Sequence, residues 1–356
     1  MNAPMNPDGT LSMNDPRPDR LPMTGHWPRF EQVLCGTQDD RQRLGLPRHY
    51  LAGRLEAEQA RALAECRGWP VARLLEHLQS PDTPLAGRLA AGQVLAWLGD
   101  PRLVARAPDM VEVPVDPAGV DIGLPEAAVA EVLQRFEGLG LDAAWIAKEC
   151  PRHRVKLAPY RLARYPVTHQ EYREFLLDTG HPGLPSSWAF RQFPQAQANH
   201  PVWTVSADDA DAYAAWLARC TGRAFRLPTE AEWEWAAAGP AGREFPWGQA
   251  FDPDRCNTAE CGLLTSSPVG VFLSGASPLG LHDLAGNVEE YVADDYAPYP
   301  GGYAVDDHLA RLHGRYRVAR GGSFARFRDL ARTRRRHGHN PRSAAYAMGF
   351  RLAETV

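Results

Sequence analysis

The sequence predicts an α+β domain preceded by a small helical region. Three helices in the second part of the chain begin with one capping device and end at a glycine. Between them lie short alternating stretches and long turn-rich loops, the texture of strands and helices mixed in one domain. The chain has 356 residues, too many for one small domain, and its 44% hydrophobic content can bury a sizeable core.

Residues 1–28 are polar and proline-rich and read as a disordered N-terminal tail. Residues 29–105 read as the helical region. Leu51 and Leu55 lie one turn apart, and Ala62 and Cys66 repeat that step. Leu74, Leu75 and Leu78 continue the apolar face, and Leu85, Leu89, Gly92, Leu95, Ala96 and Leu98 mark a further helix that stops at Gly99-Asp100-Pro101. His77 has no second histidine four residues on, so it reads as a packing or surface residue.

The second domain is placed at 110–356. Met110 to Pro114 reads as its first strand, and Ala127 to Phe136 as a helical insert. Thr168-x-x-Glu171, Ser206-x-x-Asp209 and Thr229-x-x-Glu232 are capping boxes: a hydroxyl caps the first turn and a carboxylate reaches back to the cap residue's N–H. The helices they open stop at Gly180, Gly222 and Gly239. Arg315 to Arg320 alternates as a strand does, and Met348 to Ala353 reads as a final strand.

The net charge of −4 gives no reason to expect nucleic acid or an acidic membrane as partner. The 31 glycines and 31 prolines favour turns and short elements. Six cysteines form no CxxC and fit neither a disulfide framework nor a zinc knuckle. Cys256 and Cys261 are close enough to pair, although free thiols are the expectation. No apolar run has the length of a signal peptide or membrane span, so the expected setting is cytoplasmic.

Eight further stretches occur in an order that carries a resemblance. They are Glu149 to Val155, Arg164-Tyr165-Pro166-Val167-Thr168 with Tyr172 to Phe175, and His200-Pro201-Val202. Then come Arg226-Leu227-Pro228-Thr229-Glu230-Ala231-Glu232-Trp233-Glu234 and Phe245-Pro246-Trp247-Gly248. The last three are Leu284-Ala285-Gly286-Asn287-Val288, Arg320-Gly321-Gly322-Ser323 and Gly349-Phe350-Arg351-Leu352. This resembles the superfamily of formylglycine-generating enzymes, or sulfatase-modifying factors, and ergothioneine-pathway sulfoxide synthases. The resemblance implies a C-type-lectin-like fold rich in buried tryptophan, with Trp203, Trp216, Trp233, Trp235 and Trp247 read as core.

Formylglycine-generating members place two cysteines after the Gly-Gly-Ser, where thiolates hold copper and the substrate thiol. The corresponding positions here, third and eighth after Ser323, are Arg326 and Ala331, so this chain is not expected to generate formylglycine. The sulfoxide synthases hold iron with three histidines, largely from an N-terminal helical domain. The N-terminal part of this chain has no HxxxH and only scattered His26, His49 and His77.

The late segment keeps Arg336, Pro341 and Gly349-Phe350-Arg351. Between the first two lie His337 and His339, which can reach one metal from a loop or one strand face; His313 and His282 could join them. Iron or copper would suit such a site. The plainer alternative is that both are ordinary loop residues. His337, His339 and Arg336 are thus the catalytic candidates. Arg326, Arg334, Arg335 and Arg336, within a cluster that includes Arg328, Arg332 and Arg342, can grip an anionic small molecule or acidic peptide. Alternatively they pair with the acidic run Glu289, Glu290, Asp294, Asp295, Asp306 and Asp307.

Asp283, Gly286, Val288 and Glu290 match the family's calcium loop, with Asn257 as the start of a possible second site. Such calcium would be structural. One departure is Glu289, where the family usually has tryptophan. Two functions remain open. One is a non-haem metal- and oxygen-dependent oxidoreductase acting on a small molecule or peptide. The other is a catalytically inactive lectin-like binding or accessory module with an arginine-rich groove.

Overall fold

A computed structural model describes residues 54–356 apart from Asp307, Arg342, Ser343 and Ala345. The expected tail at 1–28 with His26, the start of the 29–105 region with Cys35, His49 and Leu51, and Asp307 and Arg342 therefore lie outside the described residues.

The helical region forms α1 (Glu56–Cys66), α2 (Val71–Gln79) and α3 (Leu85–Leu98). Helix α3 is buried almost all round because its Ala-, Gly- and Leu-rich faces meet both α1 and the following domain. Leu74, Leu78, Leu89 and Leu95 share one core with Cys261, Val271 and Phe272 of that domain. Arg88 Nε donates to Val271 O at 2.7 Å, and Asn199 Nδ2 donates to Gly92 O at 2.9 Å. The helices are thus seated on the second domain, not tethered beside it.

That domain holds β1 (Met110–Val113), β2 (Val120–Ile122), α4 (Val129–Arg135), α5 (Ala143–Ala147), β3 (His153–Val155) and β4 (Tyr160–Ala163). Next come α6 (His169–Thr179), α7 (Ala207–Thr221), β5 (Phe225–Arg226) and α8 (Glu230–Ala238). The last elements are β6 (Glu289–Asp295), α9 (His308–His313), β7 (Arg317–Arg320), β8 (His337–Gly338), β9 (Met348–Phe350) and β10 (Ala353–Thr355). One sheet has the order β1-β4-β10-β5, another β8-β7-β6-β9, and β2 pairs with β3.

The three expected boxes are present at α6, α7 and α8. In α8, Thr229 Oγ1 accepts from Glu232 N at 3.2 Å, and Glu232 Oε2 accepts from Thr229 N at 2.8 Å. The apolar faces of α6 and α7 bring Tyr172, Phe175, Tyr213 and Trp216 against Phe350 in the main core. Trp216 and Trp233 are fully buried, whereas Trp203, Trp235 and Trp247 are half-buried.

One expectation is corrected. Met348 to Ala353 is not one strand. The chain leaves the second sheet after Phe350 and enters the first at Ala353. At the crossing, the buried Arg351 guanidinium binds the Glu290 carboxylate through Nε and Nη2, each at 2.6 Å. Among the described residues, no helix is long and apolar enough to cross a membrane.

Candidate active site on the β6–β8 sheet

Strand geometry assembles the site. In the β8-β7-β6-β9 sheet, Tyr291, Ala319 and His337 lie in one cross-strand row. Glu289 is two residues before Tyr291 and so shares its face. Ala319 presents only a methyl group between the outer strands, which lets the His337 side chain span to Glu289. His337 Nδ1 meets Glu289 Oε2 at 2.5 Å. Arg326 Nε donates to the other oxygen, Oε1, at 3.1 Å.

The Glu289 carboxylate is buried, with only 2% of its side chain exposed. Burial pushes its pKa up, but His337 and then Arg326 outweigh that and hold it down to about 2. Its two partners thus favour the ionised carboxylate against the cost of burial. His337 is half-buried, and among the described residues nothing hydrogen-bonds its Nε2.

His339 follows two residues on and, like His337, is half-buried, while Arg336 and Gly338 between and beside them are buried. Both imidazoles are thus partly open to solvent, with His339 just past the end of β8. Burial and then the neighbouring His337 lower the His339 pKa. Its ring packs on Tyr346 with 3.6 Å between centroids, and Arg326 lies over the same tyrosine at 5.6 Å. Phe324 meets Trp203 edge-on at 5.4 Å, and Trp203 Nε1 is enclosed without an acceptor. The result is a polar centre of Glu289, His337 and Arg326 with aromatic surroundings.

The other expected site residues are placed differently. Arg336 is buried and clamps Glu230, with Nε to Oε1 and Nη2 to Oε2 both at 2.7 Å. Arg335 is buried, donating to Trp145 O and Arg336 O and lying 3.6 Å from Asp329. Arg334 donates to Gly242 O and faces Glu244. Arg332 holds Glu149 through two bonds of 2.9 Å and also binds Glu244. Arg335 and Arg336 are therefore spent in buried ion pairs rather than lining an anion groove. Such guanidinium forks satisfy carboxylates that the fold has taken out of water. Only Arg326 of the four keeps substantial exposure, at 32% of its side chain. Its carboxylate partner, Glu289, belongs to the expected acidic run; Glu149, Glu230 and Glu244 do not.

A redox metal finds no fitting donor set here. No three His, Cys, Asp or Glu side chains converge on one point among the described residues. His337 Nδ1 is engaged by Glu289, Arg326 and Ala331 stand where thiolates would be needed, and His282 belongs to a different cleft against Tyr165. His313 ends α9.

The calcium loop has a mixed fit. Gly286 adopts φ 80° and bridges to Asn257, whose carbonyl oxygen a Cβ on Gly286 would approach to 2.4 Å. Asn257 Oδ1 is enclosed without a donor, and the Asp283 carboxyl is buried, which raises its pKa to about 6. Asn257 Oδ1 is an open oxygen of the sort calcium takes, whereas the Asp283 oxygens already accept from Gly270 N and Asn287 Nδ2. Arg351 and Trp233 Nε1, the latter at 2.7 Å, occupy the Glu290 oxygens.

Comparison with known proteins agrees with this architecture. The family described as the sulfatase-modifying factor enzyme 1-like domain matches residues 119–356. Hercynine oxygenase of Mycolicibacterium smegmatis is 31% identical over 258 residues, covering 61% of this chain and 59% of that protein. The formylglycine-generating enzyme of Streptomyces coelicolor is 32% identical over 267 residues, covering 58% of this chain and 81% of its own. The chain thus spans less than two thirds of the hercynine oxygenase it matches. PvdO from Pseudomonas aeruginosa superposes with a TM-score of 0.53 at 28% identity, over 70% of this chain and 95% of that one.

The Glu289 role was the part that sequence reasoning missed. Its signal was a carboxylate where the resemblance implied tryptophan. What could not be read was that His337 and Arg326 converge on it from β8 and from the loop after β7.

Proposed function

Because this chain belongs to the sulfatase-modifying factor enzyme 1-like domain family, we propose that it is an enzyme whose centre is the His337–Glu289 pair and whose chemistry is proton transfer. One observation carries this reading: the buried Glu289 carboxylate, also held by Arg326, engages His337 through Nδ1, and among the described residues nothing bonds Nε2. A carboxylate in that position fixes the imidazole tautomer and stabilises the imidazolium formed when Nε2 takes a proton from a substrate. Arg326 keeps Glu289 charged and adds a positive edge to the pocket. Of the four arginines behind the binding-only reading, Arg335 and Arg336 are buried in ion pairs.

The test is a turnover screen that begins with hercynine, the compound in the relatives' name, on wild type, His337→Gln and Glu289→Gln. Each variant should lose about 10²- to 10⁴-fold in kcat, the usual contribution of a positioned base. Undiminished turnover by His337→Gln would sink the proposal. Elemental analysis of the same samples addresses the metal-dependent oxidoreductase. Iron or copper near one per chain, lost in a His337→Ala/His339→Ala variant, would replace our reading with that one.

Calcium is read as a structural ion on Asn257 and Asp283. Chelation with EGTA should lower the thermal midpoint by a few degrees, restored by calcium and not by magnesium, since an ion bound only to the native state stabilises it by mass action. An unchanged midpoint would remove the site.

A further inference from the structure

A second cleft, of about 400 Å³, opens at the seam where the helical region meets the mixed domain. That volume is at the small end of the range for small-molecule sites, and such seams are where they commonly occur. It is remote in function from the His337 centre, and the inference does not depend on that reading.

The cleft is built on the frayed end of the β1–β4 ladder. Met110 pairs with Ala163, and one step further Arg164 N donates to Asp109 O at 2.8 Å. That step sets the two side chains together, with Arg164 Nε donating to Asp109 Oδ2 at 2.6 Å. Arg164 Nη1 is spent on Gly280 O at 2.9 Å. Among the described residues, Arg164 Nη2 and Asp109 Oδ1 have no further partner, and both side chains remain partly exposed at 32% and 45%.

The pair therefore offers one unused donor edge and one unused acceptor on a common rim. Beside it the Tyr165 ring stacks on His282 with 5.4 Å between centroids. Leu273, with the buried Leu78 of α2 behind it, adds apolar lining. A lone anion would gain Arg164 but be opposed by Asp109, and a lone cation would meet the reverse. A ligand carrying both charges meets a partner for each, and the ring and leucines suit an apolar remainder.

We propose that this cleft binds a free α-amino acid with an apolar side chain. Its carboxylate lies on Arg164 Nη2, its ammonium group on Asp109 Oδ1, and its side chain against Tyr165 and Leu273. No covalent step is involved.

Calorimetric titration of the full chain tests this, with L-leucine and L-phenylalanine as probes. N-acetyl-L-leucine and L-leucinamide, each lacking one charge, serve as controls. At least one amino acid should bind, and both controls should bind at least tenfold more weakly. Asp109→Asn and Arg164→Gln should each weaken binding at least tenfold, and Leu273→Trp should abolish it by filling the cleft. Circular dichroism melts check that the variants fold. His337→Gln should bind as wild type does, which separates this site from the proposed catalytic one. No heat with either amino acid at millimolar concentration would overturn the proposal. So would equal binding of N-acetyl-L-leucine, or wild-type affinity in both charge variants.

Discussion

Arg332→Leu should destabilise the protein by about 3–5 kcal/mol, the cost of breaking a buried ion pair by removing one partner. Arg332 is wholly buried and serves two carboxylates, Glu149 through a fork of two 2.9 Å bonds and Glu244 through Nε. Leucine would leave Glu149, itself fully buried, without its counter-charge. Glu244 would retain Arg334. Urea unfolding of the single variant measures the loss. The double variant Arg332→Leu/Glu149→Leu should recover part of it, because the stranded charge is gone and only packing remains imperfect. A single variant within about 1 kcal/mol of wild type, the range of an exposed pair, would show that these charges are hydrated.

Removing His169 should flatten the acid side of the stability curve. His169 and His200 are buried, and desolvation lowers each to a pKa of about 3, with His200 adding to the effect at His169. An unfolded histidine titrates near 6.5. Between those values the unfolded chain binds the proton and the folded chain does not. The stabilising contribution is thus complete above pH 6.5 and declines as pH falls toward 3, by roughly 1.4 kcal/mol per unit for each histidine.

Two carboxyls run the other way. Burial raises Glu171 to about 7 and Asp283 to about 6, so each adds stability as pH falls toward the unfolded carboxylate range. These opposing slopes make a difference measurement the clean one. His169→Gln keeps an acceptor for Trp188 Nε1, which donates to His169 Nδ1 at 2.8 Å. Relative to wild type, its unfolding free energy should rise by about 1.4 kcal/mol per unit from pH 6.5 down to pH 4. Parallel curves for the two proteins would mean that His169 protonates in the folded state.

The two adjacent glutamates of β6 separate what could be read in the sequence from what could not. The capped helices were legible because a capping box is a local contract between residues three apart. Glu289 and Glu290 were read as one acidic run, but the two-residue strand period sends them to opposite faces. Glu289 meets Arg326 and His337, while Glu290 meets Arg351 and Trp233. Their partners come from distant parts of the chain, and the Glu149–Arg332 pair spans 183 positions. Nothing local announces such a match, so a dense run of arginines looked like a ligand surface when it was the counter-charge of the interior.

The position of β10 has a consequence for synthesis. Ala353–Thr355 lies between β4 and β5, so it bridges strands made far earlier. On the ribosome, residues from Met110 onward must wait for the stretch around Ala353 before this sheet can close. The nascent chain would hold β4 with an open edge for most of its translation, exposing the interval to edge pairing with other chains. Slow elongation between β5 and β10 should therefore lower the yield of folded protein more than slow elongation before β4.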